Sequence, residues 1–208
     1  MEALPDGDIE KALAPYGVVP CRELCQKIRT YISLLLRWNQ RMSLTAITDP
    51  IEVLRFHFGE SLFAASAVPL RDGRLADLGS GAGFPGLPLR MARPGLDLVM
   101  VESNAKRATF LSEIVRKLDL DRVEVFRGRM ENMAIEGPAF DFVTARAVGR
   151  HDDLLAWGSA HLTSGKLVLW LGETDAARIS STPGWEWKLP VQIPGSRERF
   201  LLTGSPSR

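Results

Sequence analysis

A chain of 208 residues, 45% hydrophobic and 25% charged, has the length and balance of one domain with a sizeable core, which excludes disordered and fibrous classes. Its net charge of +1 argues against an indiscriminate binder of polyanions. No apolar run approaches the roughly 18 residues a membrane span needs. Met1 to Asp6 lacks the basic-then-apolar order of a signal peptide, and no Cys/His cluster completes a metal site around Cys21 and Cys25, so a reducing cytoplasm and no metal are expected.

In chain order, Cys21 to Met42 predicts a helix: Leu24, Ile28, Tyr31, Leu35, Trp38 and Met42 recur at three- and four-residue steps. Arg22, Lys27, Arg29, Arg37 and Arg41 face a single acid, Glu23, within that segment. A basic solvent face is the simplest account; contact with nucleic-acid phosphates is the alternative. Asp49, Pro50 and Glu52 open a second helical pair, Ile51 to Phe58 and Glu60 to Val68, closed by Pro69. Residues 1–70 thus read as a helical cap and 71–208 as a core, together one compact domain.

The most informative segment is Ala76-Asp-Leu-Gly-Ser-Gly-Ala-Gly-Phe-Pro-Gly-Leu-Pro-Leu89, a strand entering a glycine-rich turn and then a helix. Gly81-x-Gly83-x-x-Gly86 fits a dinucleotide fingerprint, whereas Asp77-Leu-Gly79-Ser80-Gly81-Ala-Gly83 fits the donor loop of S-adenosylmethionine methyltransferases. The register favours the second, because an acid, Asp77, precedes Gly79 where its carboxylate can hold a methionine ammonium. Pro85 and Pro88 agree, since a helix accepts proline only in its first turn, which starts this one near Phe84 to Gly86. Asp97 to Val101 is a buried parallel strand ending in Glu102, an acid at ribose-binding distance from the loop, and Ser103 or Asn104 caps the next helix. Strands at Val123 to Arg127, Phe140 to Thr144 and Lys166 to Trp170, with helices near 104 to 118 and 151 to 162, continue a doubly wound, mostly parallel sheet. Trp185 to Val191 and Arg197 to Thr203 read as a closing antiparallel hairpin, the usual mark of a methyltransferase. Gly128 to Asn132 follows strand three, where Met130 and Glu131 either flank an adenine or lie in an exposed loop.

Asp77 to Leu89, Glu102-Ser-Asn-Ala-Lys-Arg-Ala-Thr-Phe-Leu111, Arg146-Ala147, and the upstream Trp38-Asn39 with Leu44-Thr45 resemble the bacterial 16S rRNA guanine-N7 methyltransferase G family, also called glucose-inhibited division protein B. The resemblance spans roughly residues 20 to 203. It implies a class I, Rossmann-like fold with an N-terminal helical cap, and methyl transfer from S-adenosyl-L-methionine to N7 of guanine 527 in small-subunit rRNA. It implies cofactor contacts from Asp77, Gly79, Ser80, Gly81, Gly83, Phe84, Pro85, Glu102, Ser103, Arg129, Met130, Glu131 and Arg146. Arg146 is the positioning residue, able to hold the cofactor carboxylate or to stack and pair with guanine. Asn39, Thr45, His57, Lys106, Arg107 and Arg150 are candidates for the substrate side, with Glu60 and Ser61 beside them; His57 is expected to pack or touch RNA and not to move a proton. Phe56, Leu171 and Phe200 stand where the family commonly has Arg, Lys and His.

The segment after strand four, Thr144-Ala-Arg-Ala147, is not the motif of amino-group methylation, and no cysteine follows Cys25 to serve a cytosine-C5 enzyme. Guanine N7 has an in-plane lone pair and loses no proton, so direct displacement needs alignment and no general base or covalent intermediate. A monomer is expected. The alternatives are a methyltransferase of the same fold acting on a small molecule or protein, and an NAD-dependent oxidoreductase.

Overall fold

The computed structural model describes residues 4–135 and 140–207. One eight-stranded sheet runs in the order Val123–Arg127, Leu96–Glu102, Gly73–Leu78, Phe140–Arg146, Leu162–Gly172, Arg199–Pro206, Trp185–Trp187, with Val191–Gln192 paired to Arg199–Pro206. The five parallel strands are β1 (Gly73–Leu78), β2 (Leu96–Glu102), β3 (Val123–Arg127), β4 (Phe140–Arg146) and β5 (Leu162–Gly172). Leu75 and Ala76, or Phe142 and Val143, are buried on opposite faces, which is why these strands read as continuous apolar runs.

One face is covered by the N-terminal helices, α1 (Asp6–Leu13), α2 (Arg22–Asn39), α3 (Pro50–Val53) and α4 (Glu60–Ala67), together with α5 (Gly86–Ala92) and α6 (Ala105–Lys117). The other carries α7 (His151–His161) and α8 (Glu173–Ile179). Ile28, Tyr31 and Leu35 of α2 belong to the same buried cluster as Leu75 and Leu98 of the sheet, so a continuous core joins the cap to the strands.

Three local expectations change. The helical pair after Asp49 is one run, because a π-helical turn (Leu54–Gly59) links α3 to α4 without a break. Gly59 is there for space: a Cβ would collide with the Tyr16 ring, 2.7 Å from its Cζ. The basic helix ends at Asn39, short of Met42, where the Asn39 side chain turns to bind the following loop. Its cations are also less free than the segment suggested, since Lys27 pairs with Glu23 at 2.7 Å, Arg29 with Asp6 and Arg37 with Glu113 at 3.0 Å. Two of those acids come from other helices.

The C-terminal segment is antiparallel, as read. β8 (Arg199–Pro206) pairs with β5, and β6 (Trp185–Trp187) and β7 (Val191–Gln192) both pair with β8. Leu171 and Phe200 are direct cross-strand partners.

Candidate active site

The carboxyl ends of β1, β2 and β4 meet at the glycine loop, the place where open α/β sheets bind ligands. β2 pins the loop through its Val101 carbonyl, which accepts from Gly79 N (2.9 Å) and Ser80 N (3.1 Å). Gly83 adopts φ +91°, and a Cβ there would overlap the Tyr31 hydroxyl and approach Leu87 Cδ1 to 2.6 Å. Tyr31, fully buried in α2, donates to Ala82 O at 2.6 Å, so the cap grips the loop directly. Pro85 is the N-cap of α5, with Pro88 inside its first turn, as the prolines required.

Both flanking acids act on this loop's backbone. Asp77 has no exposed surface: Oδ1 accepts from Thr144 Oγ1 at 2.8 Å and Oδ2 from Gly86 N at 3.3 Å. Burial raises its carboxyl to about 6, against the opposing hydrogen bonds from Thr144, Ser80 and Gly86. The direct ammonium contact expected of it is not presented by this geometry, because the side chain points beneath the loop and α5. Glu102 is also buried, accepting from Gly81 N (2.9 Å) and Asn104 N (2.7 Å). Asn104, not Ser103, caps α6, through bonds from Lys106 N and Arg107 N.

Above the loop lies a cavity of about 340 Å³ whose wall combines Gly79, Ser80, Gly81 and Phe84 with Thr45, His57, Arg107 and Arg146. His57 stacks on Phe84 (centroids 4.7 Å apart, 23° between planes), and its Nε2 lies 2.7 Å from Thr45 Oγ1. Burial, with Arg146 and Arg199 nearby, lowers its pKa to about 3, so the ring is neutral at physiological pH. Thr45 is held by Asn39, whose Oδ1 accepts from the backbone N–H groups of Leu44 and Thr45 and whose Nδ2 donates to Thr45 O. Asn39 shapes the wall without lining the cavity.

Arg146 closes the far side. Its Nη2 donates to Phe56 O (2.8 Å) and Glu60 Oε2 (2.9 Å), while its buried Nη1 has no hydrogen-bond partner among the described residues. Glu60 also faces Arg199, whose Nη2 comes to 2.8 Å from Oε1 without hydrogen-bond alignment. Trp170 Nε1 donates to Glu60 O at 2.8 Å, which fixes the backbone at the junction of the π turn and α4. Burial pushes the Glu60 carboxyl up, opposed by both arginines, and burial lowers the Arg146 guanidinium, opposed by Glu60. Ala147, next along the wall, holds a left-handed φ of +56°, the kind of backbone strain that collects at functional sites.

The other candidates sit apart. Ser103 and Arg129 are exposed; Met130 and Glu131 lie in the short turn after β3, with Met130 O accepting from Trp157 Nε1 at 3.1 Å. Arg150 pairs with Glu131 at 3.1 Å and with Asp153. Lys106 lines a neighbouring groove. Phe56, Leu171 and Phe200 gather around Arg199: its guanidinium carbon is 5.1 Å from the Phe56 ring centroid, and the Leu171–Phe200 pair adjoins it in the β5–β8 ladder. Arg199 is not among the expected site residues, although it stands where the resembled family has the Arg of a terminal Arg-His pair. In the sequence Tyr31 is one member of an apolar stripe, and only its buried hydroxyl, which demands a partner, sets it apart.

A parallel sheet closed by an antiparallel edge, with a glycine loop after β1 and an acid ending β2, defines a Rossmann-like methyltransferase fold. Solved structures agree at the level of fold: the precorrin-6y C5,15-methyltransferase of Geobacter metallireducens (TM-score 0.58, 16% identity, 80% of this chain and 92% of that one) and the ribosomal protein L11 methylase of Lactobacillus delbrueckii subsp. bulgaricus (TM-score 0.61, 12% identity, 74% and 80%). A family model described as GidB, rRNA small subunit methyltransferase G, matches residues 24–184. Curated relatives called ribosomal RNA small subunit methyltransferase G include one from Stenotrophomonas maltophilia, 38% identical over 200 residues (94% of this chain, 92% of the relative), and one from Xanthomonas axonopodis pv. citri, 40% identical over 177 residues (83% and 82%). The chain belongs to the rRNA small subunit methyltransferase G family. No helix among the described residues is long and apolar enough to cross a membrane, and no group of three or more His, Cys, Asp or Glu side chains among them is arranged to hold a metal.

Proposed function

We propose that this chain transfers a methyl group from S-adenosylmethionine to N7 of a guanine in 16S rRNA, acting as a cytoplasmic monomer on the small ribosomal subunit or its rRNA. The observation carrying this reading is the cavity above Gly79 to Gly81, walled by Arg146, in a chain of this family. The residues fit the donor. A Cβ built on Gly81 meets nothing closer than Gly79 O at 3.8 Å, so that side of the loop is open to a ligand, and Arg146 Nη1 is a buried donor with its hydrogen bond still to make. The backbone of Gly79 to Gly81, braced by Glu102, would hold the donor's methionine end and ribose, and Arg129, Met130 and Glu131, outside the cavity in the turn after β3, would meet its adenine.

The donor, when bound, supplies an electrophilic methyl on a sulfonium. The protein's task is alignment and exclusion of water. Guanine N7 offers a lone pair and releases no proton, and His57, its pKa lowered to about 3, accepts a proton too weakly to serve as a base, so the ring fixed to Thr45 serves as a wall. Glu60 and Phe56 O hold Arg146 on one edge, leaving Nη1 to position the donor carboxylate or the guanine.

The test supplies tritiated methyl donor with small subunits lacking N7-methylguanine, and with naked 16S rRNA alongside. Label at N7 of one guanine is expected. Donor binding without label in either substrate would move the reading to a small-molecule or protein substrate, and binding of NAD in place of S-adenosylhomocysteine would overturn methyl transfer. Arg146→Ala is expected to lower kcat/KM about 100-fold; an unchanged rate removes Arg146 from the mechanism.

A further inference from the structure

Beside the donor cavity lies a second, larger concavity of about 560 Å³ between the end of α2 and the start of α6. Arg37, Trp38, Arg41, Met42, Lys106 and Thr109 form its walls. We propose that this groove seats the single-stranded RNA immediately flanking the target base; the inference rests on the rRNA reading above and names the surface that would hold that substrate.

Charge and shape converge on this occupant. Three cations face the groove against one acid, Glu113, and that acid is already engaged: Oε1 accepts from Arg37 Nη2 and Oε2 from Trp38 Nε1, each at 3.0 Å. Arg41 and Lys106 are exposed and, among the described residues, form no ion pair. Trp38 is fixed at two points, by its indole N–H on Glu113 and by edge contact with Phe110 at 5.7 Å. A held aromatic flanked by exposed cations suits a nucleobase and its phosphates, and suits a small acid or an apolar peptide poorly.

Continuity with the donor cavity supplies the direction. Met42 borders the groove, and Leu44 and Thr45, two and three residues on, border the donor cavity; Lys106 borders the groove, and Arg107 the donor cavity. A shared wall of two short segments therefore separates the concavities. A base entering the donor cavity leaves the neighbouring nucleotide at the groove, with Lys106 and Arg41 available to its phosphates.

The discriminating protein is Arg41→Gln/Lys106→Gln, which removes two charges while keeping much of each stem. The control is Arg116→Gln/Lys117→Gln at the exposed far end of α6. Calorimetry with S-adenosylhomocysteine should give wild-type affinity for both, which establishes folding and an intact donor site. For the RNA substrate lacking N7-methylguanine, the groove variant should show a KM raised about 10-fold and a log–log salt slope reduced by about 2, while the control stays within about twofold of wild type. A groove variant with wild-type KM and salt slope overturns the proposal and leaves the methyltransferase reading standing. So does an equal change in both variants, which would mean diffuse attraction. A wild-type protein that neither binds nor methylates the RNA removes the parent reading and the groove together.

Discussion

Asp77→Asn separates two accounts of the acid before the glycine loop, as scaffold or as charged ligand contact. In the folded protein this carboxyl is fully buried and titrates at about 6, raised chiefly by burial, against an ordinary value of 3.8. The folded state therefore holds the proton more tightly than the unfolded chain. The resulting stabilisation is complete below the unfolded value and disappears as pH rises through 6. Its full size is about 3 kcal/mol, of which about 2 kcal/mol falls between pH 4.5 and 7.5. Asparagine keeps the geometry: its carbonyl accepts from Gly86 N, its amide donates to Thr144 Oγ1, and the Thr144 hydroxyl can donate to Ala76 O, now 3.4 Å away. Urea denaturation of both proteins across that range should show the difference, variant minus wild type, moving in the variant's favour by about 2 kcal/mol as pH rises. Other titrating groups, Glu60 included, largely cancel in the comparison. Parallel stability curves would refute the buried, partly protonated assignment.

Other substitutions probe the same architecture. Gly83→Ala forces a side chain into a left-handed backbone and onto the Tyr31 hydroxyl; a loss of about 2–4 kcal/mol in denaturation and at least a tenfold weaker S-adenosylhomocysteine isotherm are expected. Glu60→Gln leaves the largely buried Arg146 and the part-exposed Arg199 without their shared carboxylate, and should cost about 2 kcal/mol together with a fall in kcat; no loss of stability would show that solvent screens the cluster. His57 should remain neutral in an NMR titration down to about pH 5, since its pKa is about 3, and an inflection near the ordinary histidine value of about 6.5 would contradict its burial.

The parallel strands and the starts of α2, α3, α5, α6 and α7 were legible because apolar runs, prolines and caps act locally, whereas α1 and α8, both short, and the order of strands in the sheet were not. Gly59 shows where local reasoning misleads: a glycine between two apolar runs reads as a helix break, yet its lack of a side chain admits Tyr16 while the helix continues through a π turn. Asp77 and Glu102 show a different boundary. Their spacing placed them at the loop, but whether a carboxylate faces a ligand or a backbone amide depends on the side chain's path under Gly86 or toward Gly81 and Asn104. The arginines of α2 looked unopposed because Asp6 and Glu113, which neutralise two of them, arrive from other helices. Arg199 completes the Glu60 cluster from β8, 139 positions along the chain, and only the folded sheet makes them neighbours.

The hydrogen bond from Tyr31 to Ala82 makes the N-terminal helices a partner in donor affinity. Because α2 clasps the loop that forms the cradle, any donor that prefers the clasped loop must also stabilise the seating of α2 on the sheet, by the same free energy. Amide exchange in α2, remote in sequence from the glycines, should therefore slow when the donor binds, and Tyr31→Phe should loosen that coupling while leaving every residue of the cradle in place.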